Sequence, residues 1–274
     1  MDLPVLPEGC ISNILSFTSP IDVCRSSLVS KIFKSAAVSD AVWGKFLLPY
    51  DQEIISRSVS PFPVVFSSKK DLYLHLCDHP ILIDGGNKSF ALEKWSGRKC
   101  YMVAARELVI VWGDTPQFSE VAELHFVCWL EIHGKMDTRM LSVKTTYAAY
   151  LVFKFREGIN GRHFPPLEVS VRFVRGGGGG WHTVYMDPDY QEQVGQIRIS
   201  TSLIRRFPEL TNCVERKRQF LRDRGDGWME MEMGEFFNDR GDDGDVEMSL
   251  MEVDDYKWKS GLIIQGIELR QKEG

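Results

Sequence analysis

The sequence predicts a chain in two unlike parts: a small N-terminal unit of three helices, then a larger antiparallel sandwich or barrel of strands. Three observations predict it. Apolar residues between Leu6 and Phe33 fall at helical spacing. From about residue 98 the apolar period switches to two. The strand candidates that follow are separated by turn residues and not by long helices, which favours antiparallel sheets. The 274 residues, 43% hydrophobic and 26% charged, are enough for one large or two ordinary domains with a real core.

Residues 1–48 form the helical unit. Leu6-Pro7-Glu8 suits a helix start, and Ile11, Ile14 and Leu15 follow in phase. Ser19-Pro20 ends this helix, because the residue before a proline avoids the helical region. A second helix is expected from about Ile21 to Ser30. A third piece carries Ile32, Phe33, Ala36 and Ala37 and closes near Trp43 and Phe46. So small a unit cannot cover its own apolar face.

Residues 49–97 read as a connector, with a proline break at residues 58–63, a short helix from Lys69 to Cys77 and a turn at Asp84-Gly85-Gly86-Asn87. The sandwich occupies 98–272. Leu124, Phe126, Cys128, Leu130 and Ile132 alternate with His125, Val127, Trp129, Glu131 and His133, and Tyr147–Phe155 alternates likewise. Further strands are expected at Leu108–Trp112, Leu167–Arg175, Trp181–Met186, Trp228–Met233, Val246–Val253 and Leu262–Arg270. A fragment of residues 90–274 is expected to fold alone. The run Gly176–Gly180 precedes a strand and not a helix, so it reads as a hairpin loop and not a phosphate cradle. Residues 187–226 are an irregular insertion.

The net charge of −5 argues against a general nucleic-acid or anionic-membrane binder. No apolar run reaches the roughly 18 residues of a membrane span, and the N-terminus has no signal-peptide pattern. Six cysteines without a CxxC pair suit a reducing compartment, cytoplasm or nucleus. Nothing nominates a catalytic residue, a metal site or a cofactor. Glu230 and Glu232 share a strand face that reads as solvated surface. The segment Asp239–Asp245 lacks the spacing of a calcium loop and reads as a hairpin turn. Trp112 shares parity with Leu108 and Ile110, which favours the core, while Trp112-Gly113-Asp114 also suits a sugar-stacking ring beside polar groups.

Two resemblances cover most of the chain. Leu6-Pro7-Glu8, Ile14-Leu15, Asp22-Val23, Val29-Ser30-Lys31, Asp40 and Trp43 in this order resemble an F-box, a helical motif that docks on the Skp adaptor of cullin–RING ubiquitin ligases. The resemblance implies that Leu6, Pro7, Ile11, Ile14, Leu15, Val29 and Trp43 serve adaptor binding. Gly97–Met102, Val111–Gln117, Cys128–Ile132, Thr146–Lys154, Gly225–Glu230 and Trp258–Ile263 resemble the phloem protein 2-like, Nictaba-related lectins. That implies a jelly-roll-like β-sandwich that binds N-acetylglucosamine oligomers and N-glycan cores, with the stacking ring at Trp112 and accessory acids at Asp245 and Glu252. After Gln117 the loop is shorter than in those lectins and lacks their second tryptophan, so weak binding is expected, roughly −4 to −6 kcal/mol. Together the parts resemble F-box proteins of the phloem protein 2 B type. This implies a non-catalytic substrate receptor of an SCF-type ligase that recruits a glycoprotein or protein target; the alternative is a defence lectin without a ligase role.

Overall fold

The computed structural model describes residues 6–47, 49–59, 66–111, 121–125, 127–161, 164–176, 179–186, 221–252 and 258–272. The N-terminal unit contains α1 (Glu8–Leu15), α2 (Pro20–Ser26), α3 (Lys31–Ala37) and α4 (Asp40–Phe46). The expected third piece is thus two helices. Ser39 divides them: it leaves the helical region and its hydroxyl accepts from the Ala41 amide at 3.3 Å, an N-cap that starts a new helix. Ser19 and Ser30 cap α2 and α3 in the same way.

The expected connector supplies more than a link. It forms α5 (Pro49–Ser56) and α6 (Lys69–Asp78), then β1 (Ile81–Ile83) and β2 (Lys88–Leu92). The two strands form a hairpin across the predicted turn, where Asp84, Gly85 and Gly86 all have positive φ. β2 then pairs with β3 (Lys99–Ala104), so the sheet begins well before residue 98. The physical reason is that Ile81, Ile83, Phe90 and Leu92 are buried; runs this short carry too few residues to show a period.

The remaining strands are β4 (Val109–Val111), β5 (Ala122–Glu123), β6 (Leu130–Asp137), β7 (Thr145–Phe155), β8 (Leu167–Phe173), β9 (His182–Val184), β10 (Arg222–Asp223), β11 (Met229–Asn238), β12 (Asp245–Glu252) and β13 (Leu262–Gln271). Two antiparallel sheets result. The larger has the order β1-β2-β3-β13-β7-β11-β10, with β5 also on β13; the smaller runs β4-β6-β12-β8-β9. Inward Leu130, Ile132 and Met136 of the smaller sheet meet inward Tyr147, Leu151 and Phe153 of the larger in one core. The glycine run does link an antiparallel pair, β8 and β9. At Gly179, φ is +76° and a Cβ would lie 2.0 Å from the Val171 carbonyl oxygen, so only glycine fits. The Asp239–Asp245 turn is not a hairpin: β11 and β12 lie in different sheets, and the turn carries the chain across the sandwich. Most of the expected insertion lies outside the described residues.

The two parts of the chain share a core. Trp43 of α4 and Tyr73 of α6 are both buried, with ring centroids 5.1 Å apart. The Trp43 indole N–H donates to the Ala37 carbonyl at 2.7 Å. The Tyr73 hydroxyl lies 3.1 Å from the carbonyls of both Glu93 and Lys94, just after β2. The Ile21 amide donates to the Trp95 carbonyl, and the Lys69 amide to Asp40.

Tyr73→Ala in the full chain is expected to cost about 3–5 kcal/mol, as for other buried aromatics, and Tyr73→Phe about 1 kcal/mol for the lost hydrogen bonding. Urea unfolding followed by circular dichroism checks both; an unchanged midpoint for Tyr73→Ala would show that the junction bears no load. The fragment 90–274 cuts through β2, and its thermal midpoint should fall below that of a fragment starting at residue 66.

Candidate functional site

The helical unit divides the residues expected to meet an adaptor into two groups. Ile11, Leu15 and Trp43 are buried by the chain itself. Their apolar face is not left for a partner: α1 packs on α3 and α4, and Trp43 packs on Tyr73 and Phe46. Leu6, Pro7, Ile14 and Val29 reach the surface. Their large apolar neighbours in the unit include Phe17 and Leu28, 79% and 86% exposed, beside Ile14 at 55% and Val29 at 70%. Phe17 and Leu28 were missed because they lie just beyond α1 and α2, out of the helical phase that drew attention to the others. Exposed apolar side chains at this density in so small a unit mark an interaction surface.

The residues expected at a sugar do not converge. Asp245 and Glu252 stand at opposite ends of β12, about 24 Å apart at strand rise, so they cannot hold one sugar ring together. Asp245 is exposed, at the end closed by a buried polar plug. There the Asn238 side-chain amide donates to the carbonyls of Thr138 and Ser142 at 3.2 and 3.1 Å, and the Thr138 hydroxyl donates to the Gly244 carbonyl at 2.8 Å. Glu252 is buried at the other end and ion-paired with Lys259, whose ammonium also donates to the Cys128 carbonyl at 2.8 Å. It is therefore not presented to solvent as a hydroxyl acceptor. Trp112 lies outside the described residues. The described part of β4 ends at Val111, which pairs with Glu131, while Glu252 pairs with the adjacent Leu130.

Two further clusters escaped the sequence. On the outer face of the smaller sheet, His133 Nδ1 lies 3.0 Å from Ser249 Oγ, and its Nε2 lies 3.5 Å from Glu131. The order is that of nucleophile, base and orienting acid. However, Ser249 is buried and its strand is paired on both sides, so no outward backbone N–H is left to stabilise an oxyanion. Among the described residues no group of His, Cys, Asp or Glu is arranged to hold a metal ion.

On the outer face of the larger sheet, Glu230 is buried and not solvated as its strand position suggested. Arg270 Nη2 donates to it at 2.5 Å and Arg224 Nη1 at 3.0 Å, and both arginines also reach Glu268. The Arg270 guanidinium lies 3.6 Å from the Tyr150 ring centroid. Burial raises the Glu230 pKa, but the hydrogen bond and charge of Arg270, with the charge of Arg224, outweigh it and hold the carboxyl below its ordinary value.

Comparison with known proteins places both parts. The F-box domain model matches residues 3–45 and the phloem protein 2 model matches residues 98–271. An F-box protein of Arabidopsis thaliana is 44% identical over 277 residues, covering 97% of this chain and 79% of that one. From the same organism, F-box protein PP2-B10 is 43% identical, covering 96% and 92%, and F-box protein PP2-B1 is 39% identical, covering 97% and 88%. Among solved structures, TmCBM61 in complex with beta-1,4-galactotriose overlaps with a TM-score of 0.24 and 10% identity over 61% of this chain and 84% of that one, too loosely to carry an argument.

Glu230→Ala leaves Arg224 and Arg270 to share Glu268 alone and is expected to cost about 2–4 kcal/mol. The wild-type contribution of Glu230 is present above its unfolded pKa and is lost as pH falls through the lower folded value. The gap in urea midpoint between wild type and Glu230→Ala should therefore narrow toward acid pH; a gap constant down to pH 3 would exclude the assignment.

Proposed function

We infer the function from the family to which the chain belongs, the F-box proteins of the phloem protein 2 B type. We propose that it is a substrate-receptor subunit of an SCF-type cullin–RING ubiquitin ligase. The N-terminal unit docks the Skp adaptor, and the sandwich recruits a target through glycans containing N-acetylglucosamine. The observation that carries the first half is the exposure of Leu6, Ile14, Phe17, Leu28 and Val29 on a unit whose own core, Ile11, Leu15 and Trp43, is already closed. A partner that covers these side chains would gain roughly 1.5–3 kcal/mol for each one fully buried, before the costs of association.

The protein itself makes and breaks no bonds in this reading. It supplies proximity, holding a target lysine near a charged conjugating enzyme, and a rigid junction between adaptor surface and sandwich serves that purpose. We place it in the cytoplasm and nucleus, where ubiquitin ligases of this architecture work and free thiols persist. Cys10, Cys24, Cys77, Cys100 and Cys128 are all unpaired.

Ile14→Asp and Val29→Asp are expected to abolish co-purification with a Skp adaptor at unchanged thermal midpoint, whereas Leu15→Asp should unfold the unit. Retained co-purification of the double variant Ile14→Asp/Val29→Asp would refute the docking surface. A chain that binds glycans but no adaptor would instead be a lectin without a ligase role.

A further inference from the structure

Where the residues after β5, the residues after β7 and the start of β13 meet, the sandwich carries a cleft of about 370 Å³. None of the expected sugar residues lines it. Gly261 is its seam. The Gly261 amide donates to the Leu124 carbonyl at 2.9 Å, and its carbonyl accepts from the Arg156 amide at 2.7 Å, so one residue ties both walls together. Gly261 has φ +79°, and a Cβ there would lie 2.8 Å from the Ile159 side chain, so the cleft keeps this shape only with glycine. The floor is apolar: Leu124 is fully buried and Ile159 packs against the core. His125, Arg156, Glu157 and Ser260 form a polar rim.

The charges on the rim decide what fits. Arg156 Nη1 lies 3.5 Å from Glu123, and His125 Nε2 lies 3.9 Å from the same carboxylate. The two basic groups of the rim are therefore already engaged by an acid that stands outside the lining. Glu157 is exposed on the rim, and among the described residues it makes no ion pair or side-chain hydrogen bond. An incoming anion would have to displace Glu123 and face Glu157. A sugar would find no tryptophan, tyrosine or phenylalanine ring among the lining residues on which to stack. An apolar stem that ends in a positive charge meets neither obstacle. Lysine and arginine lay their methylenes along apolar surface and keep the charged head at its edge. Here the stem would lie on Leu124 and Ile159, and the head would donate to the Glu157 carboxylate and the Ser260 hydroxyl. The volume is at the small end for ligand sites, roughly 300–1,000 Å³, which suits one side chain.

We propose that this cleft receives one lysine or arginine side chain of a protein partner, with Glu157 as the acceptor for its charge. The inference rests on the reading of the sandwich as the target-recruiting half of the chain, and it names a feature of the target other than its glycan. Full-length protein and its Glu157→Lys variant serve as baits for a phage-displayed library of random heptapeptides. The wild type should enrich lysine or arginine at one position. Glu157→Lys should enrich aspartate or glutamate there instead, at unchanged thermal midpoint because the side chain is exposed. No basic position in the wild-type selection, or the same basic preference in Glu157→Lys, would overturn the proposal. The best wild-type peptide is then resynthesised with norleucine for the basic residue, which keeps the stem and removes the charge. That change should weaken binding about tenfold or more, the loss of one charge-assisted contact. Glu157→Gln should weaken the parent peptide by a similar factor and the norleucine peptide hardly at all, so that the two changes are coupled. Equal weakening of both peptides would overturn the contact. Calorimetry of the wild type with chitotriose tests the glycan reading separately. Sugar binding without a basic preference would remove the cleft and leave glycan recruitment standing. A preference that swaps in Glu157→Lys without sugar binding would remove the glycan and keep the cleft.

Discussion

The contact between Trp43 and Tyr73 decides whether this chain is one object or two. Trp43 belongs to the helical unit and Tyr73 to the helix that packs on β2, and the two buried rings lie against each other. The Tyr73 hydroxyl is satisfied by two main-chain carbonyls after β2, which fixes the ring in direction as well as depth. Gly97, with φ +71°, lets the chain pass close over the same hydroxyl and over Pro20. The relation between the helical unit and the sandwich depends on this joint. A receptor built this way would present its target in one orientation, so shape, and not chance encounter, would select which lysines fall within reach.

The two ends of the sandwich are built on different principles. The Asp245 end is closed by neutral hydrogen bonds around Asn238, with the main chain itself as acceptor. The Glu252 end is closed by a buried charge pair, which keeps its strength only while water is excluded. A polar plug of amides tolerates small movements. A buried pair is all or nothing, because losing one member leaves an uncompensated charge.

Much of the architecture was legible because it is periodic. The expected alternation holds from Leu130 to His133, and the glycine hairpin after β8 appears where the residues placed it, whereas Tyr147–Phe153 is buried on both faces where alternation was expected, because β7 lies inside the larger sheet with cover on each side. What was not legible depends on partners far away in sequence. Glu230 looks like a surface acid until Arg224, Glu268 and Arg270 arrive from neighbouring segments. Glu252 looks like a ligand until Lys259 is brought against it. Ile11, Ile14 and Leu15 share helical phase, yet only Ile14 faces outward, since phase alone cannot say which stripe a neighbouring helix will cover. β1 and β2 were read as a connector because strands of three and five residues carry no period long enough to recognise.

The smaller sheet ends at β9 and the larger ends at β10. These are the strands on either side of residues 187–220, so among the described residues the chain departs from one sheet border and returns at another. Lengthening a segment between two borders costs only slowly growing loop entropy, about 0.6 kcal/mol per doubling. That seam is where the scaffold can absorb sequence drift, duplication or a grafted module without renegotiating any strand pairing. Novelty in relatives of this chain should accumulate there first, while the paired interior keeps its register.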